Sequence, residues 1–422
     1  MQFTEARLKQ ATLALDSVLL LTHPADSVLR EHFRAHRDLG MNDRAFVADT
    51  VFCVLRHKSL LENICGRATP RRLLLAALIK FQGIGLSQLD TLLSRDERTW
   101  AESLKAIDVN TLPPAVRLSL PDWLYQRLAQ IMPESELLAL ARGLLAPAPL
   151  DLRVNSLKAT RDEVLTQLKA DGLPAVSTRY SPIGIRLEEK PALQKHPLFL
   201  SGTVEVQDEG SQLLGFLVAP KRREMVVDFC AGAGGKTLLL GALMNSQGRL
   251  YAFDTSEKRL SNLKPRLARS GLSNVHPQLI SSERDAKIKR LAGRIDRVLV
   301  DAPCSGLGTL RRNPDLKWRQ QPSDIAELAL KQTNILASAA RLVKTGGRLV
   351  YATCSILPEE NRQIVEQFLA THPDFHALDC AALLGKAHVP IRADGLYLEL
   401  LPHLHGTDGF FAAALERNAA ST

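Results

Sequence analysis

Two cysteines of this 422-residue chain follow short apolar stretches, and each lies in a polar turn. Cys304 belongs to Asp301-Ala302-Pro303-Cys304-Ser305-Gly306, and Cys354 belongs to Tyr351-Ala352-Thr353-Cys354-Ser355. A thiolate is a strong nucleophile, although a single buried cysteine is more often an inert packing residue. Because both cysteines come directly after predicted strands, we interpret them as a pair of reactive thiols at one edge of a sheet.

A glycine-rich turn lies earlier in the chain, between the apolar stretch Met225–Phe229 and a predicted helix. The turn consists of Cys230, Ala231, Gly232, Ala233, Gly234, Gly235 and Lys236. Glycines let the backbone approach a ligand closely, and the N-terminus of the following helix favours anionic groups. Asp254 ends a second apolar stretch, where a carboxylate binds the ribose hydroxyls in nucleotide-binding α/β folds. The turn and Asp254 together predict a site for an adenosyl cofactor.

One alternative is a phosphate-binding P-loop. Gly235-Lys236-Thr237 matches the end of that motif, and Val298–Asp301 has the pattern of a magnesium-binding strand end. The P-loop pattern requires a glycine where this chain has Cys230. A nucleotide hydrolase would also leave both cysteine motifs unexplained, so an adenosyl cofactor is the favoured interpretation.

Thiols beside an adenosyl cofactor suit methylation of a pyrimidine ring carbon. Carbon 5 of cytosine is a poor nucleophile, so an enzyme must first add a thiolate to carbon 6, after which carbon 5 can attack a methyl sulfonium. A base must then remove the carbon 5 proton so that the thiolate is eliminated. Asp301 is a candidate for binding the ring at nitrogen 3 or at the amino group.

The elements that must position these residues alternate between strand and helix after Met225. The predicted strands cover Met225–Phe229, Leu250–Phe253, Arg297–Val300 and Arg348–Tyr351. This order is typical of a parallel doubly wound sheet, in which ligands bind at the carboxyl ends of the strands. The sequence therefore predicts that Asp254, Cys304 and Cys354 lie along the same rim.

The part of the chain before residue 150 has a different pattern. Apolar residues recur at helical spacing in Phe46–Leu55 and in a predicted buried helix at Leu73–Phe81. A proline-rich connector, Ala146–Pro149, leads into a small predicted α/β unit with a helix at Arg161–Lys169. The chain is therefore predicted to be multidomain, with an all-α domain, a small α/β unit and a larger α/β Rossmann-like domain.

Charge, cysteine spacing and apolar stretches indicate which binding partners and which cellular compartment to expect. The net charge of +9 favours a polyanionic partner, and residues 1–145 hold 18 basic against 16 acidic residues, so most of the excess lies further along the chain. The six cysteines form no C-x-x-C pair, which argues against a zinc site or a disulfide framework, and we expect no metal. No signal peptide or membrane-spanning stretch is evident, so a cytoplasmic monomer with no membrane partner is expected.

Several motifs resemble those of the Sun-type (RsmB-like) RNA cytosine-C5 methyltransferases. They are Val206–Gln212, Asp228–Thr237, Asp301–Gly306, Asn313–Trp318, Thr353-Cys354-Ser355 and Pro358-Glu359-Glu360-Asn361. The resemblance implies S-adenosylmethionine as the cofactor and RNA as the substrate, since this family uses a Thr-Cys thiol as nucleophile and DNA methyltransferases use a Pro-Cys thiol.

The resemblance also implies roles for individual residues. Cys354 would attack the base, Cys304 would assist release of the adduct, and Lys236 would lie near the base. Asp301 would contact the base and help to hold the cofactor, which Asp254 and the turn from Cys230 to Lys236 would bind. Two departures are noted: the loop before the Pro-Cys strand reads Ile280-Ser281-Ser282-Glu283, which leaves the family's carboxylate contact to the adenine amine unassigned, and Gly232-Ala233 stands where Ala-Pro is common.

The N-terminal helical module is similar to the NusB-type RNA-binding domain of bacterial 16S ribosomal RNA members of the family. We therefore expect a NusB-like domain at 1–145, a small α/β RNA-binding unit at 146–215 and a class I methyltransferase domain at 216–422. The implied substrate is 16S ribosomal RNA or a small-subunit particle. The alternative is a non-catalytic RNA-binding factor for ribosome assembly.

Overall fold

Helices build the first of two units in the computed structural model, which describes residues 4–391 and 395–418. This helical unit takes in the described residues up to Pro147 together with Thr309–Pro322. The second unit takes in the described residues of Ala148–Gly308 and those from Ser323 onward. Thr309–Pro322 therefore packs with the helical unit, although it lies within the stretch predicted to form the methyltransferase domain.

The helices of the first unit begin at polar caps and pack through apolar faces. They are α1 (Glu5–Leu19), α2 (Ala25–Ala35), α3 (Met41–Arg56), α4 (Lys58–Cys65), α5 (Pro70–Phe81), α6 (Arg95–Ala106), α7 (Pro114–Arg117), α8 (Asp122–Ala129) and α9 (Glu134–Leu145), with 3-10 turns at Leu86–Gln88 and Val109–Thr111 and the short α16 at Leu316–Arg319. Thr69 caps α5 by accepting from the Arg72 amide, and Pro70 occupies the first helical position, where its missing N–H costs nothing. The fully buried Leu15, Val47 and Leu74 join α1, α3 and α5 in one core.

Polar contacts fasten the segment Thr309–Pro322 to α3. The Trp318 indole N–H donates to the carbonyl of Leu55 at 2.7 Å, and the Lys317 ammonium donates to the carbonyl of Arg56 at 2.9 Å. Burial, followed by the nearby Arg56 charge, lowers the pKa of Lys317 to about 7. These contacts of the buried Lys317 include no carboxylate. Packing the segment against α3 therefore costs the free energy of removing a positive charge from water.

A four-stranded antiparallel sheet opens the second unit. Its elements are β1 (Leu150–Val154), α10 (Arg161–Ala170), β2 (Ala175–Ser177), β3 (Gly184–Leu187), α11 (Pro197–Leu200) and β4 (Val204–Val206), with a 3-10 turn at Leu193–Lys195 and the strand order β2-β3-β1-β4. Thr160 and Glu163 form a capping box that starts α10. Leu152, Leu168 and Ile185 bury the apolar side of the sheet against α10.

The larger sheet has eight strands. Its elements are α12 (Glu209–Val218), β5 (Met225–Asp228), α13 (Gly235–Leu243), β6 (Arg249–Asp254), α14 (Glu257–Ser270), β7 (Val275–Leu279), α15 (Ala286–Lys289), β8 (Ile295–Asp301), α17 (Pro322–Ala340), β9 (Val343–Thr353), α18 (Arg362–Thr371), β10 (Phe375–Leu378), α19 (Cys380–Lys386), β11 (Leu398–Leu400), α20 (Pro402–His405) and β12 (Phe410–Arg417), with a 3-10 turn at Leu307–Thr309. The order is β10-β12-β9-β8-β5-β6-β7, and β11 pairs with β12. None of the helices in the described part of the chain has both the length and the apolarity that crossing a bilayer requires.

The predicted all-parallel sheet is wrong at one edge. Strands β5 to β9 are parallel, as predicted, but β12 runs antiparallel to β9, and β10 and β11 run antiparallel to β12. The short connection from β11 through α20 to β12 is an antiparallel turn rather than a crossover. The parallel centre is Rossmann-like, and its carboxyl ends carry the residues described next.

Candidate active site

The two predicted thiols lie side by side. Parallel strands β8 and β9 are neighbours with Asp301 opposite Ala352, so Cys304 and Cys354 follow the carboxyl ends of adjacent strands. Their sulfur atoms are 3.4 Å apart, and both side chains are partly buried. The sequence prediction that these cysteines share one rim is confirmed by this geometry.

Close backbone packing fixes the turn that carries Cys354. The Gly308 amide donates to the Cys354 carbonyl at 2.8 Å, and the Gly409 amide donates to the Gly308 carbonyl at 2.8 Å. A Cβ atom at position 308 would lie 2.3 Å from the Gly409 carbonyl oxygen and 2.8 Å from the Cys354 carbonyl oxygen. Only glycine fits between these backbone segments, so the cysteine turn has little freedom to move.

The two thiols differ in their electrostatic surroundings. A hydrogen bond with Cys354 and burial raise the pKa of Cys304 well above its ordinary value, and the charges of Cys354 and Glu360 act in the same direction. The two sulfur atoms are within hydrogen-bonding distance, and either thiol can be the donor. For comparison, burial raises the pKa of Cys53 and Cys380 to about 11, so these thiols are unreactive.

Lys236 and Asp301 form an ion pair beside the thiols. The Lys236 ammonium donates to Asp301 Oδ2 at 2.7 Å, and it lies 5.6 Å from the centre of the Phe410 ring. Burial alone would lower the pKa of Lys236, but Asp301 and the charge of Cys354 outweigh it and the pKa is raised. The carboxylate of Asp301 is 28% exposed, which leaves it accessible to a ligand.

The glycine-rich turn adopts the conformation that its glycines permit. Gly232 has φ = 57° and Gly234 has φ = 82°, and Gly234 is the N-cap of α13. A Cβ at position 234 would lie 2.1 Å from Leu263 Cδ1, whereas a Cβ at 232 would meet no atom within 4 Å. Gly234 is therefore required by packing, while Gly232 faces open space.

Asp254 and Arg266 hold this turn in place. Asp254 Oδ2 accepts from the Gly232 amide at 2.8 Å, and its Oδ1 accepts from the Ser256 amide at 2.7 Å. The Arg266 guanidinium donates to the Ala233 carbonyl at 2.7 Å and is itself paired with the buried Glu205. The open side of Gly232, the carboxylate of Asp254 at the strand end and the helix N-terminus fit an adenosyl group with an amino-acid tail.

Asp228 is a buried carboxyl at the end of β5. The Thr237 hydroxyl donates to its Oδ2 at 2.7 Å, and the backbone of Cys230 also hydrogen-bonds to the carboxyl. Burial raises the pKa of Asp228 to about 7 despite the Thr237 hydrogen bond. It does not cap α13, the helix that follows, because the cap is Gly234 and no side chain bonds there.

The sequence analysis missed the residues that tie the cysteine turns together. Glu360 is fully buried and accepts from Ser305 and Ser355, and Asn361 bonds to Thr353 and Ser355. Both residues lie in the Pro-Glu-Glu-Asn motif, which was part of the family resemblance but was given no role.

The stretch Ile280–Glu283, which departs from the family pattern, comes directly after β7. Its Ile280 amide donates to the Asp254 carbonyl at 3.1 Å. Among residues 4–391 and 395–418, no cluster of three or more potential metal ligands is present.

A Rossmann-like sheet with this rim defines a methyltransferase domain, and comparisons with known proteins agree. A family model for the 16S rRNA methyltransferases RsmB/F matches residues 215–416, and a model of the RsmF/B-like ferredoxin-like domain matches residues 120–194. A "probable ribosomal RNA small subunit methyltransferase B" of Synechocystis is 36% identical over 81% of this chain and 76% of that protein, and its Bacillus subtilis counterpart is 34% identical over 85% and 79%. A crystal structure of a methyltransferase homologue from Pyrococcus horikoshii is 29% identical, with a TM-score of 0.63 over 72% of this chain and 100% of that chain.

The chain belongs to the RsmB/F family of 16S rRNA methyltransferases. The resemblance to Sun-type enzymes is thereby confirmed, and so is S-adenosylmethionine as the cofactor. The P-loop alternative is inconsistent with this membership. The NusB-like character of the helical unit, the boundaries of the three domains and the roles of the site residues stay predictions.

Proposed function

We propose that this protein methylates carbon 5 of a cytosine in small-subunit ribosomal RNA through a covalent adduct with Cys354. The observation that carries the proposal is the pair of sulfur atoms 3.4 Å apart at adjacent strand ends, beside the Lys236–Asp301 ion pair and the glycine-rich turn. Acceptors such as amines and hydroxyls are already nucleophilic, so their methylation needs no thiol pair.

In the proposed mechanism the thiolate of Cys354 adds to carbon 6 of cytosine and a sulfur–carbon bond forms. Asp301 and the charge of Cys354 raise the pKa of Lys236, so an ammonium group is kept beside the attacking sulfur. Asp301 binds the ring at nitrogen 3 or at the amino group and stabilises the protonated adduct. Bound S-adenosylmethionine supplies an electrophilic methyl group for carbon 5, and the residues of the turn from Cys230 to Lys236 with Asp254 and Asp301 would hold it.

Elimination restores the aromatic ring. Carbon 5 loses its proton to a base, the sulfur–carbon 6 bond breaks, and the electron pair returns to Cys354. The thiol of Cys304 is placed to donate to the departing sulfur, which makes Cys354 a better leaving group. Loss of Cys304 should therefore slow release more than attack.

The other parts of the chain support an RNA substrate. The net charge of +9 suits a phosphate backbone, and the ferredoxin-like match includes most of the small sheet. We propose that a NusB-like domain at 1–145 and the small unit at 146–215 contact RNA phosphates while the domain at 216–422 receives a cytosine withdrawn from its stack.

Transfer of a labelled methyl group from S-adenosylmethionine to unmodified 16S rRNA, and to small-subunit particles, tests the proposal. The wild type should label the RNA, Cys354→Ala should not, and Cys304→Ala should accumulate a covalent protein–RNA adduct. Cys380→Ala, which changes a buried cysteine away from the site, is the matched control and should behave as the wild type. If the wild type binds these RNAs but methylates none of them, the assembly-factor alternative replaces the proposal.

A further inference from the structure

A buried carboxylate lies behind the two cysteine turns. Glu360 Oε1 accepts from the Ser305 amide at 2.8 Å and from the Gln332 amide group at 3.0 Å. Its Oε2 accepts from the hydroxyls of Ser305 and Ser355, each at 2.5 Å. These serines directly follow Cys304 and Cys354, so one carboxylate connects the two turns.

The surrounding contacts supply hydrogen-bond donors to both carboxylate oxygens. Each serine oxygen also accepts a backbone N–H, from Leu307 at 3.4 Å and from Leu357 at 3.1 Å, and the two serine hydroxyls lie 3.2 Å apart. The carboxylate, the two hydroxyls and the backbone of both turns therefore form one buried hydrogen-bond network. The side chain is 0% exposed, so its charge acts with little screening by water.

The backbone of Glu360 is fixed as well. The hydroxyl of the fully buried Tyr351 donates to the Glu360 carbonyl at 2.6 Å. Gln332 also donates to the Pro303 carbonyl at 3.0 Å and so joins the carboxylate to the residue before Cys304. The Pro-Cys turn is therefore held on both sides of the cysteine, by Glu360 directly at Ser305 and through Gln332 at Pro303.

Cys304 lies in surroundings that oppose its ionisation. A hydrogen bond with Cys354 and burial raise its pKa, the charges of Cys354 and Glu360 act in the same direction, and Tyr351 of β9 also faces it. We propose that Glu360 is a positioning residue that joins the two cysteine turns through Ser305 and Ser355 and whose buried charge keeps Cys304 a proton-donating thiol. This role rests on the proposed function of the site.

Alkylation of Cys304 by iodoacetamide at a series of pH values tests the charge, because it needs no RNA. The comparison is made in the Cys354→Ser background, with the Cys304 peptide quantified by mass spectrometry. Adding Glu360→Gln should lower the pH of half-maximal alkylation, since the substitution removes a neighbouring negative charge. Glu360→Asp, which keeps the charge, should leave the midpoint near that of the background, and an unchanged midpoint with Gln overturns the proposal.

Methylation assays test the positioning role. Glu360→Gln should lower kcat about tenfold or more with an unchanged KM for RNA and should move the pH optimum to lower values, whereas an equal loss at every pH would mean a merely structural role. Ser305→Ala keeps the charge but removes the hydroxyl link, so it should lower kcat without moving the alkylation midpoint, even if the Gln variant does not fold. A wild-type kcat for Ser305→Ala refutes the link.

Glu366→Gln changes an exposed carboxylate on α18 and serves as the matched control. It should leave the alkylation midpoint and kcat unchanged, and a shift as large as that of Glu360→Gln would overturn the assignment to Glu360. If the wild type methylates no RNA, the proposed function fails while the alkylation result still decides whether Glu360 controls Cys304.

Discussion

Two glycines of the cofactor turn should respond differently to the same substitution. Both have positive φ, so an alanine at either position pays the cost of a left-handed conformation, about 1 kcal/mol. A Cβ at Gly234 would also lie 2.1 Å from Leu263 Cδ1, and such overpacking adds about 1–3 kcal/mol. Gly234→Ala should therefore lower the free energy of unfolding by about 2–4 kcal/mol.

Gly232→Ala should lower stability by only about 1 kcal/mol, because its Cβ enters open space. If that space receives the cofactor, the added methyl group excludes S-adenosylmethionine and affinity should fall at least tenfold. Gly293, with φ = 67° and no atom within 4 Å of a built Cβ, lies on an exposed turn away from the site. Gly293→Ala is the control that isolates the conformational cost.

Urea unfolding without cofactor and isothermal titration with S-adenosylmethionine measure the two effects separately. The expected pattern is a large stability loss for Gly234→Ala only, and a loss of affinity without a large stability loss for Gly232→Ala. Cofactor binding by Gly232→Ala at the strength of Gly293→Ala would refute the placement of the cofactor against this turn.

Three further substitutions should change stability or affinity in a known direction. Burial raises the pKa of Asp228 to about 7, so the wild type should lose up to about 4 kcal/mol of stability as pH rises from about 4 to 7. Asp228→Asn should not show this loss, and an equal pH dependence of the two proteins in urea unfolding would contradict the prediction. Arg266→Ala should weaken cofactor binding about tenfold because it removes the donor to the Ala233 carbonyl. Arg269→Ala removes an arginine that pairs with the same Glu205 and should leave the affinity unchanged. Equal affinities of the two variants in titration calorimetry would refute a role for the Arg266–Ala233 hydrogen bond in cofactor binding. Burial lowers the pKa of Lys317 to about 7, so wild-type stability should rise from pH 7 toward 10 and that of Lys317→Met should stay flat; thermal unfolding at both pH values is the check.

The sequence predicts the central strands because buried parallel strands are nearly continuous apolar runs. Val298–Val300 in β8 is such a run, and the polar turn after it locates Cys304. The antiparallel edge was missed for the opposite reason. Three alanines in Phe410–Leu415 give β12 a weak strand signal, and its pairing with β9 depends on a register that no local pattern specifies.

The positioning residues were missed because their partners are distant in sequence. Glu360 bonds to Ser305 and Gln332, 55 and 28 residues away, and Arg266 pairs with Glu205, 61 residues away. A glutamate or an arginine is on the surface in most proteins, and nothing local distinguishes a buried one. Only the folded chain brings these groups behind the turns that carry the thiols and the cofactor site.

The surroundings of Cys304 fit the part that we propose for it in release of the adduct. Its sulfur lies 3.4 Å from that of Cys354, and a hydrogen bond with Cys354, burial and the charges of Cys354 and Glu360 all raise its pKa. In the alternative order, in which Cys304 attacks the base, a thiolate would have to form beside the turn that Glu360 holds, where these groups oppose ionisation. The position of Cys304 therefore suits a proton donor better than an attacking thiolate.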